Sequence, residues 1–300
     1  MDNETSLRLM GKPRKVSMSP LLNYNTLDVS LEKSTKSLNV ELIFVAEKEF
    51  FSKEMIFELE SLFNWLTGHL EIQTVFIKSS TNHFAKGLNL KSYMQSEQRD
   101  DDINQRINSA FSKIRSFNRA MMLLPQIFIL DYGKGANGCG FEFGIGADLR
   151  VANKSSTMSL CPLEKGLLPM SGGISFLALQ ITPSFCKKWN FLPTITNNDL
   201  INSGYISLMY ENTEEVNSLI KQMYLYSPAA RIQTKGCMLQ GQLDHIDKVF
   251  SDESNYGLPL LVMNDWKKSY ANDETKEKFQ SITDLASILT EHKSEIYEEL

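Results

Sequence analysis

Residues 126–142, QIFILDYGKGANGCGFE, run from a short apolar segment directly into a cluster of glycines. The apolar part, residues 126–132, is typical of a buried β-strand bounded by glycine. Glycines after a strand permit a tight turn and allow backbone amides to approach a ligand oxygen closely. The pattern is not a P-loop, because no Gly-Lys-Ser or Gly-Lys-Thr ends it, and its spacing does not match G-x-G-x-x-G. The stretch predicts a strand, a turn and a backbone surface open to a ligand.

Strand-like and helix-like segments alternate on either side of this stretch. Residues 38–46 and 72–78 have the pattern of strands, whereas residues 49–66 and 103–124 carry apolar side chains near helical spacing. After Pro183 the pattern is almost wholly helical. This order predicts an α/β core followed by a helical tail.

The same pattern predicts three regions. Residues 1–37 are polar and mixed in charge, without a sustained period, so we expect an N-terminal extension. Residues 38–195 would form the α/β core. Residues 196–300 would form a helical C-terminal region, with predicted helices that include residues 214–226 and 256–270.

Composition argues against several classes of function. A net charge of -5 and a pI near 5.5 disfavour a protein that binds nucleic acid or anionic membranes mainly by charge. The four cysteines are widely spaced, which indicates neither a zinc site nor a disulfide framework. We find no signal-peptide pattern and no apolar segment long enough to span a bilayer. We therefore expect a cytoplasmic protein.

Three segments, read in order, carry a family resemblance: residues 84–91 (FAKGLNLK), 138–150 (GCGFEFGIGADLR) and 158–173 (MSLCPLEKGLLPMSGG). They resemble the F-x-A-G-x-D-L-K, G-G-G-x-E-x-x-x-x-x-D-x-R and P-E-x-x-L-G-x-x-P-x-x-G-G segments of the crotonase (enoyl-CoA hydratase/isomerase) superfamily. A weaker match follows at residues 199–206 (DLINSGYI). The resemblance covers residues 38–210, and it is that of a divergent member.

The resemblance implies a crotonase-like spiral of β-β-α units followed by a helical C-terminal trimerisation region. Such trimers often pair as hexamers. It also implies a lyase or isomerase of fatty acid metabolism that acts on an acyl-CoA or acyl-carrier-protein thioester. Coenzyme A would then be part of the substrate, and we expect no separate cofactor, no metal, no nucleic-acid partner and no membrane insertion.

For the reacting groups, the resemblance implies two backbone amides that polarise the thioester carbonyl, those of Leu88 and Cys139 here. Family hydratases use two glutamates as acid and base. The first of them matches Glu142. The second matches Pro162, which cannot transfer a proton, and Glu164 is the alternative two residues further on.

The substrate-binding positions follow from the same match. Gly87, Gly138 and Pro162 correspond to family positions that contact the substrate. Lys86 and Lys91 are candidates for binding the phosphates of coenzyme A, which need cationic partners. The alternative, that both are ordinary solvated surface lysines, stays open.

Three functions remain open from the sequence. The first is an enzyme with a single clear catalytic carboxylate, suited to isomerisation, thioester hydrolysis or decarboxylation. Some features are similar to the branch that makes diffusible signal factors, although that branch keeps both glutamates. The second is a catalytically silent crotonase fold that serves as an acyl-thioester sensor or scaffold, which the departures at Cys139 and Pro162 favour. The third is a conventional enoyl-CoA hydratase.

Overall fold

The computed structural model describes residues 24–44, 49–94, 99–160, 163–192, 194–263, 266, 267 and 269. Its largest element is a six-stranded sheet with the strand order β1-β2-β3-β4-β6-β8, and a two-stranded sheet pairs β5 with β7. The strands are β1 Leu27–Glu32, β2 Ser37–Leu42, β3 Thr74–Ser79, β4 Ile127–Asp131, β5 Gly135–Asn137, β6 Leu149–Asn153, β7 Thr157–Ser159 and β8 Leu208–Tyr210.

The large sheet is parallel except at one edge, where β1 and β2 form an antiparallel pair. The central strands β3 and β4 have the sequences TVFIKS and IFILD. Such continuous apolar runs are expected where a parallel sheet is covered on both faces.

The helices are α1 Lys53–Leu66, α2 Leu90–Met94, α3 Asp100–Leu123, α4 Cys139–Glu142, α5 Pro183–Phe191, α6 Asn197–Asn202, α7 Thr213–Leu225, α8 Pro228–Gln240 and α9 Leu243–Met263. Two 3-10 helices cover Leu163–Lys165 and Leu177–Leu179. Helix α1 begins after Ser52, whose hydroxyl accepts a hydrogen bond from the Met55 N–H at 3.0 Å. This is an ordinary N-terminal cap.

Helices cover both faces of the sheet. On one face the main core includes Phe63 of α1, which stacks on Phe117 of α3 and on Phe128 of β4. On the other face a smaller cluster packs Val216 and Ile220 of α7 against the strands. The sheet therefore lies between helical layers, as burial of both its faces requires.

The predicted α/β alternation and helical C-terminal region are confirmed, with two differences. Strand β1 lies inside the residues assigned to the polar extension. Exposed positions alternate with buried or partly buried ones along β1, which is an edge strand paired only with β2. Polar side chains are common at such edges. Strand β8 lies inside the region predicted to be helical, and its three residues are too few to show a period.

The C-terminal helix also differs from the expectation. Helix α9 begins at Leu243, well before the predicted helix of residues 256–270, and continues through Pro259. Residues 271–300 lie outside the described residues. No described helix is both long and apolar enough to cross a membrane. The trimer or hexamer and the cytoplasmic location stay predictions.

Candidate active site

Two loops that follow neighbouring strands meet at the candidate site. Strands β3 and β4 are parallel and adjacent, so the chain leaves both at the same edge of the sheet, where α/β proteins bind ligands. The two loops are joined by hydrogen bonds. Phe84 N–H donates to the Gly135 carbonyl at 2.8 Å, and Asn137 N–H donates to the Ala85 carbonyl at 2.9 Å.

Gly87 packs against the first residue of α4. It has φ of 88°, and a Cβ atom at this position would stand 3.1 Å from the Cys139 nitrogen and 3.2 Å from the Cys139 Sγ. Glycine is thus required both by the backbone angle and by the space. This close approach brings the segment that carries Leu88 beside the Cys139 amide. The role of these two amides as oxyanion donors stays a prediction.

Cys139 occupies its position without backbone strain. Gly138, immediately before it, has φ of 53° and ψ of -134°. Among the described non-glycine residues only Lys36 and Glu49 have positive φ. Cys139 is the first residue of α4, so its helical conformation is open to any L-amino acid. The glycine usual in the family is therefore not required here by the backbone.

Glu142 is the last residue of α4, and only 2% of it is exposed. Its Oε1 accepts hydrogen bonds from the Ser171 N–H at 2.8 Å and from the Gly173 N–H at 3.0 Å. Every hydrogen bond that the described residues make to this carboxyl group ends on Oε1. The two amides thus fix the orientation of the buried carboxyl group.

The surroundings of Glu142 favour its neutral form. Burial raises its pKa to about 8, the negative charge of Glu253 adds to the rise, and the Ser171 and Gly173 amides with Arg115 oppose it. The carboxyl group therefore keeps its proton to a higher pH than an exposed glutamate does. A carboxyl group that titrates near neutrality suits proton transfer in either direction.

Comparisons with known proteins identify the family of the chain. The family model described as enoyl-CoA hydratase/isomerase matches residues 46–231. The chain belongs to the enoyl-CoA hydratase/isomerase family. Over 219 residues it is 25% identical to a mitochondrial methylglutaconyl-CoA hydratase of Mus musculus, covering 70% of this chain and 68% of that protein. The Homo sapiens protein of the same name is also 25% identical, with 70% and 63% covered.

Solved structures of the family share the fold. An enoyl-CoA hydratase from Mycobacterium avium subsp. paratuberculosis K-10 aligns with a TM-score of 0.70 at 17% identity, covering 84% of this chain and 96% of that one. An enoyl-CoA hydratase from Bacillus halodurans gives 0.69 at 17% identity, with 83% and 100% covered. The predicted crotonase fold is confirmed.

Two buried polar residues of α3 support the family site, and sequence reasoning missed both. Asn118 donates through Nδ2 to the carbonyls of Glu142 at 2.7 Å and Ser171 at 2.9 Å, while its Oδ1 accepts from the Gly146 N–H at 2.9 Å. Arg115 lies one helical turn earlier and is also buried. Two polar side chains three residues apart within the apolar stripe of α3 were the available signal.

The second acid/base candidate lies elsewhere. Glu164 is in the 3-10 helix Leu163–Lys165 and is exposed, whereas Glu142 is buried. Pro162, the residue that matches the family's second glutamate, lies outside the described residues. The roles assigned to Glu164 and Pro162 stay predictions.

The two lysines proposed to bind phosphates are both accessible. Lys86 Nζ lies 2.9 Å from Glu49 Oε2, and 45% of the lysine side chain is exposed. Lys91 is exposed on α2. Phosphate binding by either lysine stays a prediction.

A cavity of about 860 Å³ opens beside the first loop. Phe51 lines it, and the Phe51 N–H donates to the Gly87 carbonyl at 2.9 Å. Asn89, the residue after Leu88, lines it as well. Its apolar wall consists of aromatic and aliphatic side chains, which include Phe44, Phe50, Met55, Ile56, Phe57 and Tyr93. The volume lies in the range of small-molecule sites.

Proposed function

We propose that this chain is an enzyme that processes an acyl thioester, with the Leu88 and Cys139 amides stabilising the oxyanion or enolate and Glu142 transferring the proton. The observation that carries the proposal is the Glu142 carboxyl group. It is buried, held through Oε1 by two amides, and placed three residues after Cys139. The close packing of Gly87 on Cys139 supports the pairing of the two amide donors.

The chemistry follows from where charge develops. Loss of a proton from the carbon beside a thioester carbonyl places negative charge on the carbonyl oxygen, and fixed N–H donors directed at that oxygen stabilise it. A carboxyl group with a pKa of about 8 can take a proton from one carbon and return it to another.

A single carboxyl group of this kind favours isomerisation among the reactions of the family. Moving a double bond needs one group that removes a proton and returns it two carbons away. Hydration needs a further group to activate water. Thioester hydrolysis and decarboxylation are the other reactions compatible with one carboxyl group.

The substrate we propose is an acyl-CoA, with an acyl-carrier-protein thioester as the alternative carrier. The curated relatives are named for a coenzyme A thioester, which supports this choice. The cavity beside Asn89 would hold the larger part of the thioester, because it adjoins the loop that carries Leu88. Lys86 and Lys91, both exposed, are the lysines that we propose to meet the phosphates of the substrate.

A catalytically silent protein that binds acyl thioesters is the second candidate. The exposure of Glu164 favours it, since this carboxyl group is not buried with Glu142. Such a protein would keep the amide donors and the cavity but turn over no thioester.

The test is incubation of the purified protein with saturated, 2-enoyl and 3-enoyl CoA thioesters, following thiol release and the absorbance of the conjugated enoyl group. We expect the 3-enoyl thioester to gain conjugation without release of thiol, and Glu142→Gln to abolish the change. Thiol release instead would indicate hydrolysis. If no thioester in the panel is turned over but the same compounds raise the thermal stability, the protein binds acyl thioesters without catalysis.

A further inference from the structure

Glu253 of α9 is a buried carboxyl group that approaches Glu142 from the C-terminal region. It is 2% exposed. Its Oε2 accepts a hydrogen bond from the Gly172 N–H at 2.6 Å, and its Oε1 accepts from the Ile174 N–H at 2.9 Å and the Ser175 N–H at 2.8 Å. Three amides on one carboxyl group favour its ionised form.

The amides bound by Glu253 alternate along the chain with those bound by Glu142. Ser171 and Gly173 donate to Glu142, and Gly172 between them donates to Glu253. Residues 171–175, which we call the shared loop, thus bind two carboxyl groups with consecutive N–H groups. A displacement of one carboxyl group moves the amides that orient the other.

Arg115 forms hydrogen bonds next to the shared loop and next to Glu253. Its Nη1 donates to the Met170 carbonyl at 2.5 Å, immediately before the shared loop. Its Nη2 donates to the hydroxyl of Ser254, the residue after Glu253, at 3.0 Å. The guanidinium also attracts the negative charge of both carboxyl groups.

The pKa values of both carboxyl groups lie above the ordinary value of a glutamate. Burial raises the pKa of Glu253 to about 7, against about 8 for Glu142. Desolvation is the main cause of both rises, and the negative charge of Glu253 adds to the rise at Glu142. Once Glu253 is negative it opposes ionisation of Glu142, so the titration belongs to the pair.

Other titratable groups also face the pair. The charge of Glu142 contributes to the raised pKa of Tyr132 and of Tyr205, which are both fully buried phenols. The Cys186 thiol of α5 faces Glu253. Burial raises the pKa of all three, so they stay neutral at neutral pH. Arg115 and Glu253 are then the charged groups that act on Glu142 among the described residues.

We propose that Glu253 is a positioning residue for Glu142: it anchors the shared loop, whose alternate amides orient the Glu142 carboxyl group, and its charge acts on that group. The inference rests on the proposed function for the role of Glu142 in proton transfer. It adds a residue of the C-terminal helix to a site otherwise built from the α/β core.

The test is an infrared pH titration of carboxyl protonation in the full chain, with Glu142→Gln used to identify the Glu142 signal. We expect Glu253→Gln to lower the midpoint of Glu142 by about one pH unit. Asp252→Asn is the matched control, because it removes the same charge from a partly exposed neighbour on the same helix, and it should leave the midpoint unchanged. An unchanged midpoint in a folded Glu253→Gln protein overturns the proposal.

Turnover supplies the second measurement. The proposed isomerisation needs ionised Glu142 to take the first proton, so activity should rise with pH through about 8, and in Glu253→Gln this rise should move to lower pH. If Glu253→Gln does not fold, Glu253→Asp keeps the charge and moves it by one methylene. Glu253→Asp should preserve the titration midpoint of Glu142 while lowering kcat. If neither variant folds, Glu253 has a structural role only, and the proposal is overturned.

The outcomes also separate this inference from the proposed function. The infrared titration needs no substrate. A shifted midpoint of Glu142 without any turnover would contradict the proposed enzymatic function but still support the coupling of the two carboxyl groups. Turnover that depends on Glu142, with an unchanged midpoint of Glu142 in Glu253→Gln, would contradict only the proposed role of Glu253.

Discussion

Glu142 and Glu164 lie in neighbouring motif segments, yet their surroundings are opposite. Glu142 is 2% exposed, and two backbone amides bind its Oε1. Glu164 is exposed in a 3-10 helix. A place in a motif therefore neither buries a glutamate nor supplies it with amide donors, the two features on which the proposed role of Glu142 depends.

The largest change in turnover is expected from substitution of Glu142. Glu142→Gln keeps the shape of the side chain but removes the exchangeable proton, so thioester turnover should fall by a factor of about 10² to 10⁴. Glu164→Gln is the matched control and should change turnover by less than about twofold, since an exposed carboxyl group has little influence on a buried site. Equal losses in both variants would show that the two glutamates act together.

The next effect concerns the amide donors. Gly87→Ala places a Cβ 3.1 Å from the Cys139 nitrogen at a φ of 88°, and displacement of one donor should lower kcat about a hundredfold. Gly204→Ala is the control: its φ is 71°, with no atom within 4 Å of the added Cβ. It should cost about 1 kcal/mol of stability and leave kcat unchanged. Full activity in Gly87→Ala would contradict the assignment of Leu88 and Cys139.

The free energy of unfolding should depend on pH through Glu142. An unfolded glutamate loses its proton near pH 4.5, whereas folded Glu142 keeps it to about pH 8. The folded state therefore holds an extra proton between these values, and the free energy of unfolding should decrease as pH rises through this window. The slope is on the order of 1 kcal/mol per pH unit for a single group.

Urea unfolding across this pH window measures that slope. Glu142→Gln cannot ionise, so its slope should be shallower than that of the wild type. Glu164→Gln should retain the slope of the wild type, because an exposed carboxyl group is solvated in both states. Parallel curves for all three proteins would mean that Glu142 does not titrate as proposed.

The smallest expected effect is at the rim of the site. Lys86 pairs with Glu49 at 2.9 Å, but 45% of the lysine side chain is exposed, so solvent weakens the pair. Lys86→Ala should lower the free energy of unfolding by less than about 1 kcal/mol. Thermal denaturation tests this, with Lys91→Ala as the exposed control, and a loss of several kcal/mol would show that the pair holds the loop after β3.

Long, strongly patterned elements were predictable from the sequence. The apolar run at residues 126–132 becomes β4, and the helical spacing over residues 49–66 becomes α1. The edge strand β1 and the three-residue β8 were not predictable, because pairing with neighbouring strands decides them more than their own pattern.

The site was predictable where a motif carries it and not where distant segments complete it. Glu142 and the contact of Gly87 with Cys139 follow from the motifs. The role of Glu253 does not follow from a motif, because the residue lies 81 positions from Gly172, whose N–H donates to it. No local sequence pattern indicates that contact. Contacts of this range are decided by how the helical tail packs on the core.

The distance in sequence between Glu253 and the shared loop has a consequence for biosynthesis. A ribosome delivers the chain from its N-terminus, and domains begin to fold as they emerge. The sheet can therefore assemble while the amides of Gly172, Ile174 and Ser175 still lack the carboxylate that binds them. If Glu253 positions Glu142 as proposed, the acid/base group is complete only once α9 has docked, and a chain truncated before that helix would keep the sheet but lack the carboxylate that anchors the shared loop.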